Sequence, residues 1–432
     1  MIRRYTTPEM AALWTEEAKF QSWLLVEKAV ARTQAELGLI PAAAAGAIQR
    51  ATFKLDEIEK FEAETNHDVI AFTKSVAKSI GKHGSYVHYG LTSYDVVDTA
   101  LSLRCLSSIE ILTLALTDLR LAAARLALRY KRTPMIGRTH GVHAEPITFG
   151  LKCASWYEEI SRSMARLEQG RHEMRFGKVS GTVGSYTQLG PEVESRVLRR
   201  LGLLPEPVST QVIPRDRHAH LVAVLALVAT ALERIATEIR NLQRTEIAEV
   251  AEPFAAGQRG SSAMPHKQNP ITCERITGLA RVMRSYVSVA YEDVCLWHER
   301  DLSNSAAERI ILADSFLLLH YLVKKLTGVL TGLVVRPERM LENLESSLGS
   351  FCSQGLLLSL VKAGMDKDQA YRKVQELSFA CRQNGKPLID LCRKDRTVSR
   401  RLSQRQLKQV FSLKRLLRHV DAVYQRIGLA RR

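Results

Sequence analysis

A polar segment at residues 257–270, GQRGSSAMPHKQNP, holds residue types suited to acid–base chemistry on an anionic ligand. Gly257 and Gly260 permit unusual backbone angles, and two prolines stiffen the far side. Lys267 and Asn269 supply a cation and an amide, so this loop could present them and its backbone N–H groups to an oxyanion. The alternative is an ordinary connector between helices, in which Gly, Ser, Asn and Pro are equally expected.

Three further polar segments carry histidines: Thr65–Asp68 (TNHD), His88–Asp95 (HYGLTSYD) and Gly137–Pro146 (GRTHGVHAEP). Histidine suits proton transfer because its pKa lies near neutral. A single loop histidine is usually a satisfied polar residue, but three such segments together favour a site. The H-x-x-H spacing of His140 and His143 also fits a metal site, yet no second ligand pair accompanies it, so we predict no metal.

The composition is that of a soluble globular protein that buries a core. Of 432 residues, 46% are hydrophobic and 25% are charged, and the length suggests roughly two to four domains. The net charge is +17, with the densest basic run at Arg393–Arg418. Nucleic-acid or membrane-surface binding is one interpretation. Since no zinc-finger spacing or aromatic RNA-binding motif is present, we favour a basic surface with Arg and Lys at an anionic-ligand site.

The cysteines and the N-terminus bear on the cellular compartment. Seven cysteines are scattered and never spaced C-x-x-C, which argues against a disulfide framework and a structural zinc site. The first residues, MIRRYTTPEM, lack the apolar core of a signal peptide, and no run reaches the ~18 apolar residues of a membrane helix. We therefore predict a cytoplasmic protein with no membrane partner.

Helical periodicity dominates the chain. Apolar residues recur at steps of three and four through Val96–Lys131 and Ala219–Glu252, and further helices are predicted at Ile147–Phe176, Ile271–Glu292 and Ala306–Leu330. Strand patterns are scarce, so the predicted fold class is all-α.

The long helices set the predicted domain organisation. We predict three helical domains: an N-terminal one at residues 1–91, a central long-helix bundle at residues 92–340, and a C-terminal one at residues 341–432. A long helix with a continuous apolar stripe cannot shield itself in a monomer, so the central bundle should form the core of a homo-oligomer.

The order G-S-S-x-M-P-x-K-x-N-P from Gly260 resembles the fumarase/aspartase superfamily. Within it, the chain resembles the adenylosuccinate lyase family, in the shorter form known from many bacteria. The resemblance covers essentially the whole chain and includes these motifs: RYTTPEM, NHDV, HYGLTS, GRTHGVHAEP, STQVIPRDRHA, SSAMPHKQNPI and WHERD.

The resemblance implies a carbon–nitrogen lyase that releases fumarate by β-elimination. Its substrates would be adenylosuccinate, giving AMP, and the succinylated aminoimidazole carboxamide ribotide, giving AICAR, in purine nucleotide biosynthesis. The family needs no cofactor and is a homotetramer whose active sites combine residues of three subunits. Two alternatives stay open: another fumarate-releasing lyase of the superfamily, such as argininosuccinate lyase, or a basic nucleic-acid-binding paralogue without catalysis.

The resemblance also implies roles for particular residues. Ser261 matches the general base, His140 the general acid, and Glu274 the carboxylate that orients this histidine. His67 matches a substrate-positioning residue of the catalytic set, and Lys267 would stabilise the base and hold a substrate carboxylate.

The residues that match substrate contacts are spread along the chain. They are Arg4, Tyr5, Asn66, His67, Asp68, His88, Thr92, Ser93, Gln211, Ser262, Lys267, Asn269, Arg300, Ser305 and Arg309. Three positions depart from the family pattern. Tyr94 stands where Ser or Thr is common and is expected to be harmless, whereas Asn304, in place of His, and Gly355, in place of Arg, are expected to affect phosphate or interface contacts.

Overall fold

The computed structural model describes residues 1–255 and 257–429. These residues are mostly helical, with six short strands that form three two-stranded sheets. The all-α prediction is therefore confirmed.

Five helices precede the long ones. They are α1 (Pro8–Ala11), α2 (Glu16–Glu36), α3 (Ala42–Gln49), α4 (Leu55–Thr65) and α5 (Asp68–Ile80). Phe20 and Trp23 of α2 pack on Phe72 of α5, with ring centroids 5.7 and 5.5 Å from that of Phe72. This aromatic cluster belongs to a buried apolar core and packs α5 against α2.

The middle of the chain carries the long helices. They are α6 (Ser93–Arg129), α7 (Phe149–Glu173), α8 (Pro191–Leu201, which is short), α9 (Asp216–Leu242), α10 (Ile271–Glu292) and α11 (Ser303–Thr331). In α6 the predicted apolar stripe, including Ile109, Leu112 and Leu116, is buried. Helix α10 has the predicted bounds, and α6, α7 and α11 differ from prediction by a few residues at their ends.

The prediction for the end of α9 was wrong: α9 ends at Leu242 and not at Glu252. The residues Val250–Ala251 form strand β5, which pairs antiparallel with the later strand Val334–Val335. The Arg336 N–H also donates to the Glu249 carbonyl at 3.0 Å. The apolar spacing continues past Leu242, but the backbone hydrogen bonds of this segment go to a distant stretch of chain.

The segment Gly137–Pro146, expected as a polar loop, is mostly a β-hairpin. Strands β1 (Pro134–Thr139) and β2 (Val142–Thr148) pair antiparallel, with Thr139 opposite Val142. Two residues, His140 and Gly141, form the turn with φ of 54° and 75°. Positive φ at both turn residues matches the type I′ geometry that suits the twist of a hairpin.

The remaining strands are two residues long. They are β3 (Phe176–Gly177), β4 (Leu204–Pro205), β5 (Val250–Ala251) and β6 (Val334–Val335).

Short helices complete the chain. They are α12 (Pro337–Glu345), α13 (Ser353–Lys362), α14 (Lys367–Asn384), α15 (Leu388–Lys394), α16 (Arg396–Ser399), α17 (Gln404–Val410), α18 (Leu413–Leu416) and α19 (Val420–Arg426). Leu356, Leu360, Leu388 and Leu407 are fully buried in the core that these helices share.

The described chain divides into two compact units, each made of three segments. The first unit comprises Met1–Thr117, Arg162–Arg234 and Arg275–Lys325, and the second comprises Asp118–Ser161, Ile235–Glu274 and Leu326–Arg432. The division into three consecutive domains stays a prediction.

Helix α9 has the length and composition of a membrane span, with a mean hydropathy of 1.7 over its most apolar window. Because 67% of that window is buried inside the protein, α9 has the features of a core helix.

All seven cysteines lie within the described residues, where none forms a disulfide bond and only Cys295 is exposed. Burial raises the pKa of Cys105, Cys352 and Cys392 to about 12.

Candidate active site

A cavity of about 350 Å³ in the first unit is lined mostly by residues from the α4–α5 junction and from the first turns of α6 and α11. Seven of the predicted substrate contacts line it: Asn66, His67, Asp68, Ser93, Arg300, Ser305 and Arg309. The structure therefore brings together residues that lie up to 243 positions apart in the chain, from Asn66 to Arg309.

The break between α4 and α5 positions three of these side chains. Asn66 ends α4 with φ of 49°, and its N–H donates to the Glu62 carbonyl at 2.8 Å. His67 caps α5, because its Nδ1 accepts from the Ile70 N–H at 3.4 Å. Asp68 pairs with Arg309 across a 2.7 Å contact. Burial acts to lower the pKa of Arg309, but the Asp68 charge and hydrogen bond outweigh it, so the cation is retained.

His88 is held by Glu27 and does not line the cavity. Glu27, which is buried, accepts from the His88 backbone N–H at 3.0 Å and lies 2.6 Å from its Nδ1. Burial acts to lower the pKa of His88, but the hydrogen bond and charge of Glu27, with a smaller effect of Asp95, raise it overall. This arrangement favours a protonated imidazolium.

The His88–Glu27 pair predicts a pH-dependent contribution to stability. A raised folded-state pKa stabilises the protein fully below the unfolded value of about 6.5, and this contribution is lost as the pH rises through the folded-state pKa. His88→Asn, which tolerates the φ of 61° at this position, should therefore lower Tm more at pH 5.5 than at pH 9. Calorimetric Tm values at the two pH values test this, and an equal or larger loss at pH 9 would contradict it.

Arg300 and Gln211 meet at the cavity wall. Arg300 Nη1 donates to Gln211 Oε1 at 2.9 Å, and Gln211 Nε2 donates to the Thr182 carbonyl at 3.1 Å. The Arg300 guanidinium also lies over the ring of Tyr94, 3.6 Å from its centroid. Gln211 does not line the cavity itself, and its contact with the cavity lining is this hydrogen bond to Arg300.

The start of α6 is fixed by Asp95. The Thr92 N–H donates to Asp95 Oδ2 at 2.9 Å, and Asp95 Oδ1 binds the buried Lys178 Nζ at 2.5 Å. These contacts set the first turn, from which Ser93 and Tyr94 contribute to the cavity wall. Thr92 is adjacent in sequence but does not line the cavity.

A buried ion network includes residues close to Ser305 in the sequence. Arg215 donates two hydrogen bonds to Asp98 Oδ1, each 3.0 Å long, and its Nε lies 3.1 Å from Glu308 Oε1. Asn304 Nδ2 donates to Glu308 Oε2 at 3.1 Å, and burial raises the pKa of Glu308 to about 7. Asn304 is itself fully buried and does not line the cavity.

The predicted N-terminal contacts lie elsewhere in the first unit. The Tyr5 ring packs edge-on against Tyr321, with centroids 5.7 Å apart, and Arg4 is exposed. Neither residue lines the cavity.

The serine loop belongs to the second unit. Ser261 Oγ accepts from the N–H groups of Ala263 and Met264 at 3.3 and 3.1 Å. Asn269 Nδ2 closes the neck of the loop by donating to the Gly260 carbonyl at 2.9 Å. A Cβ on Gly260 would lie 2.0 Å from the Lys267 carbonyl oxygen, so only glycine fits there.

Ser262 and Lys267 are exposed on this loop. Lys267 Nζ has no ion-pair partner within residues 1–255 and 257–429, so its charge is available to an anion.

Arg138 and Glu249 anchor the hairpin that carries His140. Arg138 donates two hydrogen bonds to the Glu249 carboxylate at 3.1 and 2.8 Å, and Asn343 of α12 donates to the same carboxylate at 2.8 Å. Glu249 is fully buried. This pair could not be predicted from the sequence, because nothing in the local pattern connects the two positions.

Removing Arg138 should destabilise the fold strongly. Arg138→Met leaves the buried Glu249 carboxylate without its cation, which we expect to cost about 3–5 kcal/mol of unfolding free energy. Urea denaturation measures this. Arg138→Lys keeps a charge and should lose less, and equal stability of Arg138→Met and the parent protein would contradict the assignment.

His140 and Glu274 are both exposed, and no hydrogen bond or ion pair joins them within the described part of one chain. His143 instead binds Ser347 Oγ through Nδ1 at 2.8 Å. Burial and then the Arg138 charge lower the pKa of His143. The described residues contain no group of three or more His, Cys, Asp or Glu that could hold a metal ion.

Gly355, the third departure from the family pattern, lies in α13. A Cβ there would be 3.5 Å from Val410 Cγ1, which is an ordinary packing distance.

Comparison with known proteins defines the class. Residues 3–284 match the family model described as Lyase, and residues 349–427 match the one described as Adenylosuccinate lyase C-terminus. A solved structure, fumarate lyase from Mesorhizobium sp. BNC1, matches with a TM-score of 0.91 and 26% identity over 100% of both chains. The chain is an all-α lyase.

Full-length relatives identify the family. Adenylosuccinate lyase of Thermotoga maritima is 47% identical over 427 residues, covering 99% of both chains. That of Bacillus subtilis is 46% identical over 431 residues, covering 100% of both. The chain belongs to the adenylosuccinate lyase family.

Proposed function

We propose that this lyase cleaves adenylosuccinate to AMP and fumarate, and cleaves the succinylated aminoimidazole carboxamide ribotide to AICAR and fumarate. The observation that carries the proposal is the cavity in which seven of the predicted substrate-binding side chains meet. Both substrates present a succinylamino group and a ribose phosphate, and the cavity offers Arg300 and Arg309 for such anions.

Ser261 is proposed as the general base. Its Oγ accepts two backbone N–H bonds from Ala263 and Met264, which would stabilise the negative charge of an alkoxide. Lys267 adds a cation on the same short loop. The alkoxide removes a proton from the succinyl carbon next to a carboxylate, and the carbanion is held as an aci-carboxylate by Lys267 and Asn269.

His140 is proposed as the general acid. Its imidazole lies at the exposed tip of a hairpin that the Arg138–Glu249 pair anchors close to the turn, so the turn is held while the ring stays accessible. As the C–N bond breaks, its electrons pass to the leaving nitrogen, which takes the proton from His140, and fumarate departs. We propose that Glu274 orients His140 across a subunit boundary, since the two side chains make no contact within one described chain.

A homotetramer with shared active sites is part of the proposal. Three leucines of α6, Leu114, Leu121 and Leu128, recur every seven residues and are 66%, 45% and 40% exposed. Seven-residue spacing keeps them on one face of the helix, which association of long helices would bury. Residues of the loop that carries Ser261 are exposed, and so is His140. This exposure agrees with active sites that residues of other subunits complete.

We also propose a cytoplasmic location.

The direct test is fumarate release by the purified chain. We expect a change in UV absorbance with adenylosuccinate and with the succinylated carboxamide ribotide, and none with argininosuccinate. Activity on argininosuccinate alone would favour the neighbouring lyase class. RNA binding that weakens with salt, without lyase activity, would favour the nucleic-acid alternative. Analytical ultracentrifugation tests the tetramer.

A further inference from the structure

Tyr94 contacts two predicted substrate-binding residues at once. It lies in the first turn of α6, lines the cavity, and is only 6% exposed. Its ring lies beneath the Arg300 guanidinium, 3.6 Å from the ring centroid, and its hydroxyl donates to Ser305 Oγ at 3.0 Å. A serine or threonine at this position would have no ring for such a contact.

The hydrogen bond to Tyr94 determines what Ser305 can do. Burial and the nearby Asp98 charge raise the pKa of Tyr94, so its hydroxyl keeps its proton and acts as the donor. Ser305 Oγ is the acceptor, which leaves the single Ser305 proton for another acceptor. Because Ser305 lines the cavity, this proton is available to an oxygen of a bound anion.

Arg300 is restrained in a similar way. Its Nη1 is occupied by Gln211 Oε1, and its plane rests on Tyr94. Its Nε is shielded from solvent and has no hydrogen-bond partner among the described residues. The edge formed by Nε and Nη2 is the edge with which arginine binds carboxylate or phosphate oxygens bidentately.

We infer that Tyr94 is a positioning residue that holds Arg300 and Ser305 as a two-residue clamp for an anionic group of the substrate. The inference rests on the proposed lyase function and adds a residue to its binding site. The bound group is a phosphate or a carboxylate, each of which presents a pair of oxygens. Binding measurements with AMP and with fumarate separate these two groups. Tyr94 thus orders the clamp before the substrate arrives.

Two variants test the inference on the full chain. Tyr94→Phe removes only the hydroxyl and should raise the KM for adenylosuccinate about threefold to tenfold, with kcat within about twofold. Tyr94→Ser also removes the ring and should raise KM a further fivefold to thirtyfold or so. Tyr371→Ser, at an exposed tyrosine of α14, is the matched control and should leave KM unchanged.

Binding measurements identify the anionic group. Isothermal titration of AMP and of fumarate should show weaker binding of one of them to Tyr94→Phe. Loss of AMP affinity alone assigns the clamp to the phosphate, and loss of fumarate affinity alone assigns it to a carboxylate. A double-mutant cycle with Ser305→Ala should be non-additive, because both changes break the same contact.

The inference and the proposed function fail in different ways. If the parent protein cleaves adenylosuccinate but Tyr94→Phe and Tyr94→Ser, with unchanged Tm, keep the parent KM and AMP affinity, Tyr94 is not a positioning residue. If the parent protein releases no fumarate, the proposed function fails, and titration with AMP, inorganic phosphate and fumarate then decides the inference: equal affinities for all three ligands in parent and variants overturn it.

Discussion

Ser261→Ala should lower kcat for adenylosuccinate on the order of a thousandfold or more. The substitution removes the only atom of this side chain able to accept the succinyl proton, whereas the amides of Ala263 and Met264 that would stabilise its alkoxide stay in place. Substrate affinity should change little, because Lys267, Asn269 and the cavity residues are untouched. Stopped-flow or steady-state fumarate release measures the loss.

Ser288→Ala is the control for this prediction. Ser288 is an exposed serine of α10 whose hydroxyl donates only to the Ser285 carbonyl, so this variant should keep parental kcat. A Ser261→Ala protein with the parental sedimentation coefficient and nearly parental turnover would remove Ser261 from the role of base.

His140→Asn should lower kcat about a hundredfold to ten-thousandfold. Asparagine tolerates the left-handed backbone, with φ of 54°, that position 140 adopts in the hairpin turn, so the turn should survive while the proton donor is lost. The expected result is therefore slow chemistry with an oligomeric state equal to that of the parent protein. Comparison of kcat, KM and sedimentation for the two proteins provides the measurement.

His172→Asn, at the exposed end of α7, is the matched control, because it removes a histidine that has no proposed role in catalysis. A second check uses His140→Ala with added imidazole, which should restore part of the rate by supplying the missing proton. Parental kcat in His140→Asn would mean that another group protonates the leaving nitrogen.

The long helices could be predicted from sequence because their stability comes from apolar stripes that local spacing displays. Leu112 and Leu116 of α6 are buried as the stripe requires. The end of α9 could not be predicted in this way, since Val250 continues the apolar spacing while its backbone pairs with Val335. Pairing over 85 residues leaves no local signal in the chain.

The hairpin was missed for a different reason. The turn residues His140 and Gly141 both adopt positive φ, and glycine at the second position is a usable signal for a two-residue turn. The flanking residues, however, are polar and only partly buried, so strand alternation is weak. Family motifs identified the His140 segment where periodicity could not.

Part of the cavity lining could be predicted from the sequence, but the contacts among its residues could not. Motif matching found Asp68, Arg300 and Arg309, and the structure places them on one cavity. Motif matching gave no sign that Tyr94, expected to be harmless, would contact Arg300 and Ser305. Those contacts join residues more than 200 positions apart in the chain. The roles of the predicted catalytic residues stay predictions until the variants are assayed.

The distribution of thiols has a practical consequence for studying this enzyme. Maleimide dyes attack thiolates, and the buried cysteines, with pKa values such as those of Cys105 and Cys392, are both inaccessible and protonated. Cys295 alone is exposed, five positions before Arg300 in the chain. The natural sequence therefore already carries a unique attachment point for a fluorophore or spin label, and optical or magnetic-resonance reporters need no cysteine-free background.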